Sequence, residues 1–210
     1  MKHVKQDMLR LLKNRKALGT VVATLIILVV SVLLASVVTY YAMNVVSTRS
    51  QEESLHLTKQ HIWNQPPATL GDVSYSLSSL MVTNTGGRDV VIDKLAVRGQ
   101  NCPWLDVVNG KFVVYRILTD PLSDDMIFDN AFTATPLAGD NTVTIGGVEY
   151  EFTVAQTDLI LPSGSTILIY IINPDSISVN DIGLTVSMTL FSAQAMYHIE
   201  TNVQAYPPIP

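Results

Sequence analysis

LGTVVATLIILVVSVLLASVVTYYAMNVVST, residues 18–48, contains no charged side chain. A helix needs roughly 20 apolar residues to cross a bilayer, and this run is longer. On its N-terminal side stand Lys2, Lys5, Arg10, Lys13, Arg15 and Lys16 against the single acid Asp7, a sum of +5 over residues 1–17. The whole chain sums to −5, so residues 18–210 carry −10. This asymmetry predicts a cytoplasmic N-terminus and an acidic C-terminal part outside the membrane. Tyr40 and Tyr41 fall where an outer interfacial belt would lie.

Three readings of the junction compete. A secretory signal peptide has an apolar region of about 7–15 residues followed by a small-x-small cleavage site. This run is too long for that, and its end at TYYAMNV has no such site. A permanent single-span anchor fits both the length and the charge bias. In the third reading the chain is cut before the apolar run, which then stays on the mature protein.

The stretch RKALGTVVATLIILVVSVLLAS, residues 15–36, resembles the start of archaeal type IV pilins. The family's leader is removed on the cytoplasmic side, after a basic residue followed by Gly or Ala. Lys16-Ala17 matches that site, which makes Leu18-Gly19 the mature start. GTVVATLI, residues 19–26, is similar to the family's S-P-V-V-A-T-L-I pattern, with Gly19 and Thr20 in place of Ser-Pro. Bacterial type IV pilins carry Glu as the fifth mature residue. Val22 stands there in this chain, which favours the archaeal branch. Archaellins, the related motor-filament subunits, tend to start G-I-G-T-L-I-V-F, and this start is closer to adhesion-type pilins.

Every fourth residue from Gly19 reads Gly19, Ala23, Ile27, Ser31, Ala35, Thr39, five of the six small. The neighbouring row Thr20, Thr24, Leu28, Val32, Ser36 adds three hydroxyls. Residues four apart are neighbours on a helix surface, and small ones let helix backbones approach closely. A helix apolar on all its other faces is buried in lipid or in protein, and copies of itself would serve as well.

Beyond Thr48, RSQEESLHLTKQHIW has good helix formers and neither Gly nor Pro. It predicts that the helix continues to about residue 62, with Pro66-Pro67 preventing further extension. Residues 18–62 would then form a rod of roughly 65–70 Å. His56 and His61 are five apart rather than four, so they read as solvated helix residues and not as metal ligands.

From residue 73 the period changes to alternation. YSLSSLMVTN (75–84), VVIDKLAVRG (90–99) and KFVVYRIL (111–118) read as strands, with TGGRD as a turn. NTVTIGGVEYEFTVA (141–155) reads as a hairpin turning at Gly146-Gly147, where both residues tolerate the positive φ of a type I′ turn. STILIYIIN (165–173) is almost continuously apolar, as a central strand covered on both faces would be. LTVSMTLFSAQAMYHIETNVQA (184–205) is long enough for two strands or one bent strand. No helical period intervenes, which predicts a largely antiparallel β-sandwich. VTNTGGRDVVIDKLAVRG (82–99) resembles a V-x-N-T-G…I-x-x-I-x-V-x-G pattern of archaeal pilin and archaellin domains. LPSGSTILIYI (161–171) resembles their later strand entry. The resemblance implies an immunoglobulin-like sandwich on a long N-terminal helix, a lollipop-shaped pilin.

The remaining residues offer little chemistry. Cys102 is the sole cysteine, so no intrachain disulfide forms, and it reads as a small buried side chain, with an intermolecular bridge as the alternative. No N-x-Ser/Thr sequon occurs. The acidic C-terminal part has no basic stripe for nucleic acid. Asp120, Asp124, Asp125 and Asp129 in DPLSDDMIFDN are oxygen ligands in a loop, but without calcium-loop spacing they read as a solvated acidic loop. His198 has no companion nucleophile, and no phosphate loop, G-x-S-x-G or H-E-x-x-H occurs. Trp63 and Trp104 read as packing anchors, with a subunit contact as the alternative for Trp104 in NCPWLDV. The tail YPPIP, residues 206–210, cannot extend a sheet and is expected along the surface.

The expectation is therefore a leader over 1–17, a hydrophobic helix over 18–62 and an extracellular β-domain over 63–210. It has no cofactor, no metal and no enzymatic activity. The resemblance implies a homopolymeric cell-surface filament for adhesion, with the precursor held in the membrane. It also implies a prepilin peptidase, an assembly ATPase and a membrane platform protein as partners. A permanently membrane-anchored binding module and an archaellin remain the alternatives.

Overall fold

Strand β11 (Thr166–Ile172) is buried at every position. Its period of two sorts the run into two sets. Ile167, Ile169 and Ile171 enter one hydrophobic cluster, and Leu168, Tyr170 and Ile172 enter another on the opposite face. A continuous apolar stretch is thus an alternating strand between two cores. The computed structural model describes residues 15–67, 74–129, 132 and 141–206, and the chain divides into two units, 1–49 and 50–210.

The first unit contains most of helix α1 (Arg15–Gln51). The second is built from strands β1 (Leu55–Gln65), β2 (Tyr75–Asn84), β3 (Val90–Val97), β4 (Gln100–Cys102), β5 (Leu105–Asp106), β6 (Lys111–Leu118), β7 (Thr142–Ile145), β8 (Val148–Glu151), β9 (Thr153–Val154), β10 (Leu159–Leu161), β11, β12 (Thr185–Ser192) and β13 (Met196–Ala205). Eleven of them form one curled sheet whose main path runs β10-β3-β12-β13-β1-β2-β11-β6-β5, with β4 beside β3 and β9 beside β6. Strands β7 and β8 form a separate hairpin. The protein is thus one N-terminal helix followed by a mainly β fold of sandwich type.

The curl closes the first core. Leu80 and Val82 of β2 and Val113 of β6 meet Val90, Ile92, Leu95 and Val97 of β3 and Val186, Met188 and Leu190 of β12. The second core lies on the outer face of β2, β11 and β6. It is covered by Leu122, Met126 and Phe128 of the segment after β6, by Phe132, and by Val143 and Ile145 of the hairpin. Tyr170 is wholly buried there among Phe132 and Phe152, and its hydroxyl donates to the Ile127 carbonyl at 2.9 Å.

The hairpin turns at Gly146-Gly147 as its sequence predicts, with φ of 59° and 82° and Ile145 opposite Val148. Residues 184–205 form two strands, not one. Among the described residues every pairing is antiparallel except that of β1 with β13, where Ile62, Trp63 and Asn64 lie opposite Val203, Gln204 and Ala205 in parallel.

One expectation is corrected. The helix does not run to residue 62. It ends at Gln51, about 55 Å of helix from Arg15, and the β-fold begins at Leu55 rather than at 63. Helix propensity over LHLTKQHIW is a weak preference, and tertiary burial overrides it. Leu55, Ile62 and Trp63 are buried as a strand beside β2. A β-bulge conceals the alternation. Between the pairs Thr58–Met81 and His61–Ser79, β1 advances three residues while β2 advances two, and Lys59 takes a φ of 53°. Odd-numbered Leu55 and Leu57 face the first core before the bulge, and even-numbered Ile62 faces it afterwards.

Candidate functional site: the apolar helix and its exit into the sheet

From Gly19 to Thr48 the helix is long and apolar enough to cross a membrane, and each of its side chains is exposed. Its serine and threonine hydroxyls bond back along the helix. Thr24 bonds the Val21 carbonyl at 2.9 Å, Ser31 that of Leu28 at 2.8 Å, Ser36 that of Val32 at 2.9 Å, and Thr39 that of Ala35 at 2.8 Å. Each of these four donors is satisfied on its own helix, so over most of its length the surface offered is hydrocarbon, with the exposed phenols of Tyr40 and Tyr41 toward its C-terminal end.

The small residues Gly19, Ala23, Ser31, Ala35 and Thr39 all lie on this surface, and nothing stands within 4 Å of a Cβ built on Gly19. At about 100° per residue, a row of every fourth residue drifts by some 40° per step, or about 200° from Gly19 to Thr39. The row is a ridge that winds around the helix. A helix following it crosses at an angle, the geometry small residues permit. The junction residues Lys16, Ala17, Leu18 and Gly19 lie within α1, whereas residues 1–14 of the leader fall outside the described residues.

Only Glu52, Glu53 and Ser54 separate α1 from β1, and the sheet grips them. The Ser54 carbonyl accepts the N–H groups of Thr85 and Gly86 at 2.9 and 3.1 Å, and Ser54 and Thr85 share a hydroxyl bond at 2.9 Å. The Glu53 carboxylate is 5% exposed, accepts a hydrogen bond from Ser192, and stands 3.6 Å from the Arg88 guanidinium. The Tyr197 phenol lies within electrostatic reach of Glu53. Burial raises its pKa, and the Glu53 charge adds to the rise.

Behind this grip the two turn patterns read from the sequence, NTGGRD and LPSGS, meet. Asn84 is wholly buried with every polar group paired. Its side-chain amide donates to the carbonyls of Arg88 at 2.8 Å and Leu161 at 3.1 Å, and its side-chain oxygen accepts from Gly86 at 3.0 Å. Its backbone bonds Ser165 and Gly164. Ser163 donates to the Gly86 carbonyl at 2.7 Å. An Asn-Thr-Gly turn reads locally as a turn, but its task here is to hold the helix exit, which its sequence does not announce.

The titratable side chains singled out in the sequence do not converge. His56 is exposed on β1. His61 is on β1, not on a helix, stacked on Trp63 at 5.0 Å and bonded through Nε2 to Asp125 at 3.0 Å. Lys59, aimed by the bulge, donates to the carbonyls of Ser123 at 2.7 Å and Asp124. The acidic segment is thereby latched to β1 rather than free in solvent. Burial would raise the Asp125 pKa, but the His61 bond and charge, the Met126 N–H and Lys59 together hold it below the usual range. Asp120 is exposed, and no group of three or more His, Cys, Asp or Glu among the described residues is placed to hold a metal ion. His198 bonds Thr189 and stands 3.6 Å from Glu200 on the outer face of β13. Trp63 is buried in the second core and Trp104 packs partly buried against the first. Of the tail, Tyr206 stacks on Phe128 at 3.9 Å, and residues 207–210 fall outside the described residues.

No family model and no curated protein matches this chain. Among solved structures it is similar to the copper-bound PCuAC domain from PmoF2, at 13% identity over 74% of this chain and all of that one. The TM-score of 0.29 is too low for that likeness to carry an argument.

Proposed function

We propose that this chain is a structural subunit of an extracellular type IV pilus-like filament of the archaeal kind. The observation that carries the reading is α1 itself: 30 residues from Gly19 to Thr48, uncharged, exposed, with serine and threonine hydroxyls already bonded along their own helix. Such a surface exchanges lipid for copies of itself without unpairing its serine and threonine hydroxyls. The basic leader sets topology and serves as the handle of a prepilin peptidase that cuts after Ala17. An assembly ATPase and a membrane platform protein then move the helix from bilayer to filament core, and the β-domain faces outward, where it serves adhesion. N-terminal sequencing of the protein from a sheared cell-surface fraction tests this. A start at Leu18 in sedimentable fibres is expected. A start at Met1, confined to the membrane fraction, would replace the filament with a permanently anchored surface domain.

A further inference from the structure

The chain enters the sandwich on β1 and leaves it on β13, and these two strands lie side by side in parallel. Tension between the helix and the far end of β13 therefore pulls the neighbours in opposite directions along their length. The bonds between strands run across that direction, so the load falls on them together instead of opening them singly. The contact exceeds the three paired positions. The Tyr206 N–H donates to the Asn64 carbonyl at 3.0 Å, and the Thr201 hydroxyl to the Gln60 carbonyl at 3.3 Å. On its other edge β1 is held by nine paired positions on β2.

The entry is braced where such a pull begins. Ser54 is held by Thr85 and Gly86 immediately before β1, and the buried Glu53 carboxylate ties the same point to Ser192 at the end of β12. An ordinary linker between a membrane helix and a surface domain has no need of a buried carboxylate, hydrogen-bonded and ion-paired to the sheet, within its first few residues. Burying a charge is costly unless it is paired, and here Ser192 donates to one carboxylate oxygen while the Arg88 guanidinium stands 3.6 Å from the other, which makes no hydrogen bond.

We propose that the β-domain is a tension-bearing module. Its load enters through the Glu53–Ser54 clasp and is carried as shear by the parallel β1–β13 pair. The inference does not depend on filament formation, because a permanently anchored domain would be tethered by the same helix.

Optical-tweezer pulling on the full chain in bicelles tests it with two handle placements. One handle is fixed at Gln51→Cys, and the second sits either on the C-terminus or at Gln194→Cys in the exposed β12–β13 turn. Cys102 is buried and takes no handle. The turn lies at the same end of the sheet as Leu55, so the second placement peels the strands apart from one end. The unfolding force in the terminal placement should exceed that in the turn placement by about twofold or more, since bonds loaded together resist more than bonds loaded in sequence. Equal forces, or a lower force in the terminal placement, would overturn the proposal. Glu53→Gln should lower the force in the terminal placement and leave the turn placement unchanged. An equal drop in both would mean that the clasp only stabilises the fold, and would overturn its role as the point of load entry.

Discussion

Gly86 lies so close to Glu52 that a Cβ added to it would stand 2.6 Å from the Glu52 carbonyl oxygen and 2.8 Å from the Ser54 nitrogen. Both atoms are backbone, and the chain they belong to is held by Thr85 and Glu53, so neither can yield cheaply. Gly86→Ala should destabilise the β-domain by about 1–3 kcal/mol through this overlap. Urea denaturation followed by tryptophan emission measures it, and an unchanged midpoint would contradict the packing described at the helix exit.

Asn84 should be less replaceable still. Asn84→Ala strands the Leu161 carbonyl in a buried site, and the Arg88 carbonyl and the Gly86 N–H in partly buried ones. A cost of about 2–4 kcal/mol is expected, since buried groups lose their partners rather than exchange them. Asn84→Asp should rescue little, because a carboxylate cannot make the two donations. Comparing the three proteins by chemical denaturation separates loss of shape from loss of donors.

Asp181 predicts a pH dependence. Its Oδ2 accepts from the Ser178 hydroxyl at 2.7 Å and the Ser178 N–H at 2.8 Å, and its other oxygen from Arg98. The Ser178 bonds, with Arg98 behind them, hold its carboxyl below the usual range. A carboxyl depressed in the folded state adds stability above its unfolded pKa, near 3.9, and loses it as pH falls through the folded value. Asp181→Asn should therefore cost about 1 kcal/mol at neutral pH and progressively less below about pH 4. A cost that stays constant across that range would refute the assignment.

Cys102 is buried, and burial pushes its thiol up to about 12. The thiolate is the reactive form, so the native protein should resist thiol reagents at pH 8 and label fully on denaturation. Rapid labelling of the folded chain, or a disulfide-linked dimer on a non-reducing gel, would favour the intermolecular bridge.

The leader junction makes its own prediction. Ala17→Trp places a bulky side chain at the proposed cleavage point, and should leave unprocessed protein in the membrane and no surface fibres. Immunoblotting of membrane and sheared fractions checks this. Normal fibres from the variant would sink the filament reading.

Much of this architecture was legible one residue at a time. The charge-free run from Ala17 to Thr48 reads as a helix long and apolar enough to cross a membrane, and it forms one. The Gly146-Gly147 turn shows in two adjacent glycines with alternating flanks, and the double burial of β11 in an unbroken apolar stretch. Strand β1 was hidden because the bulge at Lys59 shifts its inward positions from odd to even. A period-two reading of LHLTKQHIW fails there, and helix propensity fills the gap. The latch of His61 on Asp125 was hidden for a different reason, since 64 residues separate the two.

By itself, the sequence determined what depends on short-range period, polarity and charge: the membrane-length helix, the turns and most of the strands. Tertiary structure alone decided which strands became neighbours. The parallel pairing of β1 with β13 joins Ile62 to Val203, and the amide of Asn84 reaches the Leu161 carbonyl 77 residues away. Such choices depend on which apolar faces and unpaired backbone groups can be satisfied together once the sheet curls on itself, and no local window of the chain records that.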